Sequence, residues 1–491
     1  KPGFFSELIV KGGSDANPIA ARETIMRPIH RCSVISLIGV LCCLVAIGCR
    51  PAVEPSSTLL PPPEISMNPT RTPPDSSPTP RPTDMPVPFR LPVDAAPAAG
   101  FTYLRADGNR LVSGQGHLPR TLPLDIPLAG VPQWIAAAAY DRGVVWAVVL
   151  ADGRTQAFYV RERVVQPIPI VPDRVENVPP MLLVQRGEAR LMIPPTSRHG
   201  DTHPVIIDQA EGIWAFTYVD GRLNVMQQRE PLPPGTLAVD ALPDARILVD
   251  ERQRLLLLSG PTDRYGHAVL GDNLEAGSIT LVDTRPEIGV VRVIDVPAPA
   301  VIEGIAPIWA DLDGDGQREI IVTQSTDDAG AQVVVYDESG AQVAVGPAVG
   351  RGFRWRHQIA VATFGPDGEL ELVDVLTPHI GGVVTFYQWR GTALQVTAQL
   401  AGYTSHVLGT RNLDMAAAGD FDGDGRVELL LPAQDRSSLG AVRRTRDGAE
   451  TVWVLPLPAL LQSNLAAAQG QDGRIVVGAG LADGTLRLWG P

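Results

Sequence analysis

Two short stretches carry carboxylates at a spacing that suits a hard cation. They are Asp311-Leu-Asp313-Gly-Asp315-Gly-Gln317-Arg-Glu319 and Asp420-Phe-Asp422-Gly-Asp424-Gly-Arg426-Val-Glu428. Acids at loop positions 1, 3, 5 and 9, with the position 7 carbonyl as a further donor, supply the oxygen ligands such an ion takes. The glycines at positions 4 and 6 permit the positive φ that wraps so short a segment. Without a cation the packed carboxylates would repel one another. An EF-hand needs a helix on each side and a more distant final acid, whereas β-type apolar runs flank both of these loops.

Those runs position the loops. Residues 305–310 enter the first loop and 320–323 leave it; 415–418 and 429–431 flank the second. The same grammar recurs around weaker loops, Gly365-Pro366-Asp367-Gly368, Gly470-Gln471-Asp472-Gly473 and Leu242-Pro243-Asp244, and 181–184 and 135–139 open two fainter copies. Seven anchors at intervals of roughly 45–70 residues match the size of four-stranded blades. The expectation is an all-β chain, a β-propeller of four-stranded blades over 99–491, seven in number with six and eight as the alternatives, because the first two copies are faint. Residues 101–104, with their Asp107-Gly108 turn, read as an N-terminal strand pair that completes the last blade and covers its open edge.

Upstream the pattern changes. Residues 1–25 show no periodicity and read as an extension ahead of the start at Met26. Residues 26–48 read as a signal peptide, with a basic segment from Met26 to Arg31 and an apolar stretch, 33–47, that is short for a membrane span. Residues 49–98 are rich in Pro, Ser and Thr and form an extended, disordered tether with polyproline II character.

Composition removes whole classes of function. The formal net charge of −13 argues against a nucleic-acid partner. The only lysines are Lys1 and Lys11, and the four cysteines, Cys32, Cys42, Cys43 and Cys49, all precede the tether or begin it. The propeller therefore has no Schiff-base or P-loop lysine, no thiol nucleophile and no Cys-ligated zinc.

Two resemblances follow from these residues. Ala46-Ile47-Gly48-Cys49 resembles a bacterial lipobox, although Ala46 departs from the usual Leu. This implies cleavage after Gly48, lipid on Cys49, and an extracytoplasmic protein anchored to a membrane, at the cell surface or in the periplasm. The acidic loops resemble FG-GAP/VCBS repeats, the modules of the integrin α-chain propeller and of many bacterial surface proteins. The likeness is firm over 300–435 and weaker over 130–491. It implies two structural Ca2+ ions, each in a loop joining the first and second strands of a blade. The implied ligands are Asp311, Asp313, Asp315, the Gln317 carbonyl and Glu319, then Asp420, Asp422, Asp424, the Arg426 carbonyl and Glu428. The weaker loops keep too few acids and are expected to bind no metal.

Strand order then assigns the remaining loops to faces. The face opposite the acidic loops collects Asp263, Arg264, His267, Arg354, Arg356, His357, His379, His406, Arg411 and Asp414. Convergence of these groups would suit an acidic or hydroxyl-rich ligand, a glycan or a protein, with Arg as fixed donor and His as titratable one. The plainer alternative is that each His and Arg satisfies local backbone carbonyls. No short ligand spacing supports a three-His metal centre. An extracytoplasmic polysaccharide lyase or hydrolase is the alternative reading, and a purely structural surface protein a third. Nothing places Asp263 and Asp414 at a catalytic separation, so no catalytic residue is assigned. Oligomeric state is not legible.

Overall fold

A computed structural model describes residues 89–175, 179–193, 204–208, 212–217, 221–227 and 235–490. The extension, the signal segment, Cys49 and most of the tether lie outside the described residues. Among those described, the sole helical turn is a short 3-10 turn, Leu118–Arg120, and the rest is strand and loop. No helix among them is long and apolar enough to cross a membrane.

The strands pair in sets of antiparallel neighbours. One set runs Pro132–Tyr140, Gly143–Leu150, Thr155–Arg161, Val164–Ile168. Its second strand, GVVWAVVL, is buried at every position, as a strand covered on both faces must be. Outer strands such as Gly448–Pro456 are largely exposed and carry polar residues. Stacked face to face about an axis, such sets make a β-propeller. Near the axis only small side chains fit, and alanine fills 136–139, 416–418 and 466–468 there.

Pairing resolves the described strands into five separate sheets and one 13-stranded sheet. The large sheet holds three blade-like sets joined through Val301–Ile302 and the single pair Val345↔Ala393, so the described strands fall into eight sets, one more than the seven anchors and within the six to eight blades that the spacing leaves open. The additional set is Val205–Asp208, Ile213–Thr217, Arg222–Gln227, Gly235–Ala238. The sequence between its first two strands, Gln209-Ala-Glu211-Gly212, carries no aspartate and so offers no anchor to spacing.

An N-terminal strand does complete the C-terminal set, but it is Leu124–Pro127, paired antiparallel with Thr485–Trp489 and tied by Asp125–Arg487 at 2.6 Å. The residues expected in that role go elsewhere. Ala98–Phe101 pairs with Met181–Gln185, and Gly100 lies so close to the first set that a Cβ there would meet the Ala137 carbonyl oxygen at 2.1 Å.

From Thr102 to Gly116 the chain lies against one inner strand after another. The backbone N–H groups of Val249, Trp309 and Ala418 donate to the carbonyls of Ala106, Asp107 and Arg110 at 2.8, 3.0 and 2.8 Å. The Asn109 side chain bonds both backbone groups of Val361, and the Gln115 N–H donates to Gly473 O at 3.0 Å. This plug satisfies backbone groups that inner strands would otherwise leave open on the axis.

Candidate functional site

The two acidic loops fold alike. In the first, Asp311 accepts the N–H groups of Gly314 and Gly316 at 2.6 and 3.0 Å, and Glu319 accepts Leu312 N–H at 2.8 Å. In the second, Asp420 accepts from Gly423 and Gly425 at 2.7 and 2.9 Å, and Glu428 from Phe421 N–H at 2.9 Å. All four glycines take positive φ, between 81° and 88°. Carboxylate oxygens of Asp311, Asp313 and Asp315 lie within 4.8 Å of one another, as do those of Asp420, Asp422 and Glu428.

Their countercharges differ. No Arg or His side chain pairs with Asp311, Asp313, Asp315 or Glu319 among the described residues; Arg318 turns instead to Asp107 and Glu251. Burial, and then the charges of the three aspartates, push Glu319 up to about 7. An all-oxygen set with unbalanced charge fits a hard divalent cation, with Asp311, Asp313, Asp315 and Glu319 as holders. The second loop already contains a cation. Arg443 pairs with Asp422 and Asp424, each at 2.9 Å, and with Glu428. In the weaker loop of the intervening set, Arg446 takes Asp367 at 2.6 Å and Arg444 takes Glu371 at 3.0 Å.

The opposite face carries a cavity of about 490 Å3. It is built from the segments that lead into the first strands of two adjacent sets, Phe353–Trp355 and Thr404–Leu408, and from the turns after their second strands, Thr377–Ile380 and Gln434–Arg436. His267 closes one side. Trp355 stacks on His357 and His379 with ring centroids 4.9 and 6.0 Å away, and His379 meets His406 edge-on at 4.9 Å. Phe353, Ile380 and Leu408 line the cavity and are exposed.

Each ring is fixed by one nitrogen or by stacking. His406 Nε2 donates to Thr410 O at 2.5 Å, so its buried Nδ1 carries a bare lone pair with no partner. His357 Nδ1 meets Ser405 Oγ at 2.8 Å and leaves Nε2 buried and unpartnered. His379 has the His406 backbone nearby, but neither of its ring nitrogens makes a hydrogen bond of normal geometry. Burial lowers all three imidazoles: His406 to about 3, His357 well below the ordinary value with Arg110 adding to the effect, and His379 in the same direction. Of these three, His379 and His406 line the cavity, and burial shifts both toward the neutral form; His357 lies buried behind them. Among the described residues only the acidic loops bring three ligating groups within 4.8 Å, so the histidines do not form a three-nitrogen metal centre.

Several residues assigned to a ligand are otherwise engaged. Asp414 is buried between Arg246, at 2.7 Å, and Arg110, at 3.2 Å; these charges outweigh its desolvation and hold its carboxyl below the usual range. Arg356 is buried in its strand, with Asp374 at 3.1 Å and the Tyr387 hydroxyl as partners. The Arg264 guanidinium donates to the carbonyls of Ala300 and Val296. Arg411 pairs with Asp244 and Asp272 at 2.9 and 2.7 Å. Asp263 is exposed and does not line the cavity, whereas the exposed Arg354 does. Of the residues expected on a ligand face, His267, Arg354, His379 and His406 line the cavity, together with Arg436, while Arg264, Arg356, Arg411 and Asp414 are held by other partners.

Sequence reasoning missed a carboxylate pair behind His267. Glu303, fully buried, meets His267 Nδ1 at 2.5 Å and accepts from Ser325 Oγ. Burial, and then the charge of Glu303, push Glu275 up to about 9. Neither acid lies in a motif, so no spacing could have marked them.

No protein-family model matches the chain, and no curated protein matches it. Solved structures resemble it in outline. A europium-containing methanol dehydrogenase aligns at 9% identity and TM-score 0.49 over 77% of this chain and 89% of its own. BamB from Moraxella catarrhalis aligns at 10% and 0.36 over 75% and 98%, and the WD40 β-propeller domain of Doa1 at 10% and 0.37 over 77% and 97%.

Proposed function

We propose that this chain is an extracytoplasmic propeller, anchored to a membrane by lipid on Cys49 and stabilised by calcium, that binds a glycan in the His/Trp cavity. The unpartnered ring nitrogens of His379 and His406, both in the cavity wall, carry this reading. Buried polar atoms without partners are costly, about 1–3 kcal/mol each, and a ligand rich in hydroxyls would satisfy them. Because the imidazoles are neutral, sugar hydroxyl donors match their lone pairs better than carboxylates do. Phe353 gives an exposed aromatic surface for an apolar sugar face, and the cavity has the size of ordinary ligand pockets.

A glycan array probed with the intact chain should show binding to neutral sugars, and His379→Ala should weaken that binding about tenfold through lost hydrogen bonding. His379 suits the test because its ring nitrogens support no other hydrogen bond. Recognition of acidic glycans alone, or equal affinity in the variant, would reject the assignment. A protein ligand is the second reading, favoured by exposed Ile380 and Leu408 at the same mouth. A lyase or hydrolase is favoured only by the His267–Glu303 pair, and turnover abolished by His267→Ala would establish it. For the anchor, Cys49→Ala should move the protein from the membrane to the soluble fraction, and undiminished membrane partition would count against the lipid.

A further inference from the structure

We infer that Arg443 is the resident cation of the second acidic loop, so that this loop binds no calcium while the arginine is in place. This rests on reading the acidic loops as cation sites, and separates two loops that look equivalent in sequence.

Strand register puts the arginine there. Leu429 pairs with Val442, which sets Arg443 beside Glu428, the last acid of the loop. Its Nη1 lies 2.9 Å from Asp424 Oδ2, its Nη2 2.9 Å from Asp422 Oδ2, and its Nε 3.0 Å from Glu428 Oε1. Nη2 also meets Glu428 Oε1. The guanidinium thus occupies three of the acids that a calcium ion would need. The fourth, Asp420, already accepts two glycine N–H groups, and Trp453 Nε1 donates to Asp422 Oδ2 at 3.3 Å.

Calcium sits about 2.3–2.6 Å from its oxygens. An ion bound through Asp422, Asp424 and Glu428 would lie against the guanidinium that holds the same carboxylates. Two cations cannot share that space without strong repulsion. Glu428 has no solvent-accessible surface and needs a permanent countercharge, which Arg443 supplies through a planar fork matched to carboxylates.

The first loop has the opposite neighbour. There Ile320 pairs with Tyr336, so the residue in the place of Arg443 is Asp337, whose carboxylate serves its own turn through Ser339 and Ala341. No guanidinium reaches Glu319 among the described residues. Between the two loops, Arg444 and Arg446 neutralise Glu371 and Asp367 in the same manner.

Calcium counting on the intact chain tests this, by equilibrium dialysis at micromolar free calcium after chelator treatment. Wild type should hold one ion, lost in Asp313→Asn and retained in Asp422→Asn. Arg443→Gln should gain one ion, and the gain should vanish in Arg443→Gln/Asp422→Asn. The inference is overturned if wild type holds an ion that Asp422→Asn removes, or if Arg443→Gln gains none. The milder Asp422→Asn covers the case in which Arg443→Gln does not fold. A wild type with no calcium would refute the first loop as a site; the gain in Arg443→Gln would still support the role of Arg443.

Discussion

Asp414→Ala should lower the unfolding free energy by about 3–5 kcal/mol, the range for removing one partner of a buried ion pair. The side chains of Asp414, Arg246 and Arg110 are each at most 5% exposed, so the variant strands two guanidinium groups without a countercharge. Arg110 belongs to the segment that plugs the axis, Arg246 to a turn of the ring, and Asp414 to the approach to the second acidic loop. One carboxylate thus ties three distant parts of the chain together. Urea unfolding measures the loss, and hydrogen exchange should show the N–H groups of Val249, Trp309 and Ala418 opening first, because all three are held by the plug. Asp328→Ala is the control: its pair with Arg351 is almost fully exposed and should contribute no more than about 1 kcal/mol. A loss below about 1 kcal/mol in Asp414→Ala would show that the charges relax to solvent and that the plug is not held by them.

That triad also shows what was legible in the sequence. Acid spacing at 311–319 and 420–428 marked both loops, because a short loop must supply its ligands from adjacent positions. Counting strands from those loops was enough to put His357, His379 and His406 on one face, and the structure gathers them around Trp355. Asp414 looked like a ligand-face acid because it lies in the segment that leads into the first strand of its set. Its partners, Arg110 and Arg246, lie 304 and 168 residues away, and no local pattern reports a contact of that range. The plug was unreadable for a related reason. Residues 102–116 make few ladder bonds with their own neighbours, so they carry no strand periodicity, yet they complete the inner edges of several sets. Arg443 escaped notice because the pair Arg443-Arg444 near the end of an apolar strand reads as solvated, and only register places Arg443 beside Glu428.

Chelating calcium should destabilise the protein by about 2.7 kcal/mol when free calcium had stood about a hundredfold above its dissociation constant. The loss should arise in the blade formed by Ile308–Ala310, Glu319–Thr326, Gly330–Tyr336 and Gln342–Val345. There Asp311, Asp313 and Asp315 face one another and Glu319 is buried, with no arginine among the described residues to balance them. Without the ion, that repulsion is relieved only by protonation or by opening the loop. Asp313→Asn should therefore melt at the same temperature with and without chelator, whereas Asp422→Asn should remain calcium-sensitive. The cavity follows a different rule. Its walls come mainly from residues 353–380 and 404–436, in the two sets whose acids are matched internally by Arg443, Arg444 and Arg446. Ligand affinity should accordingly survive chelation that lowers the melting temperature. Joint loss of affinity and stability would mean that the calcium blade and the cavity unfold as one unit, and an unchanged melting temperature would remove calcium from the first loop.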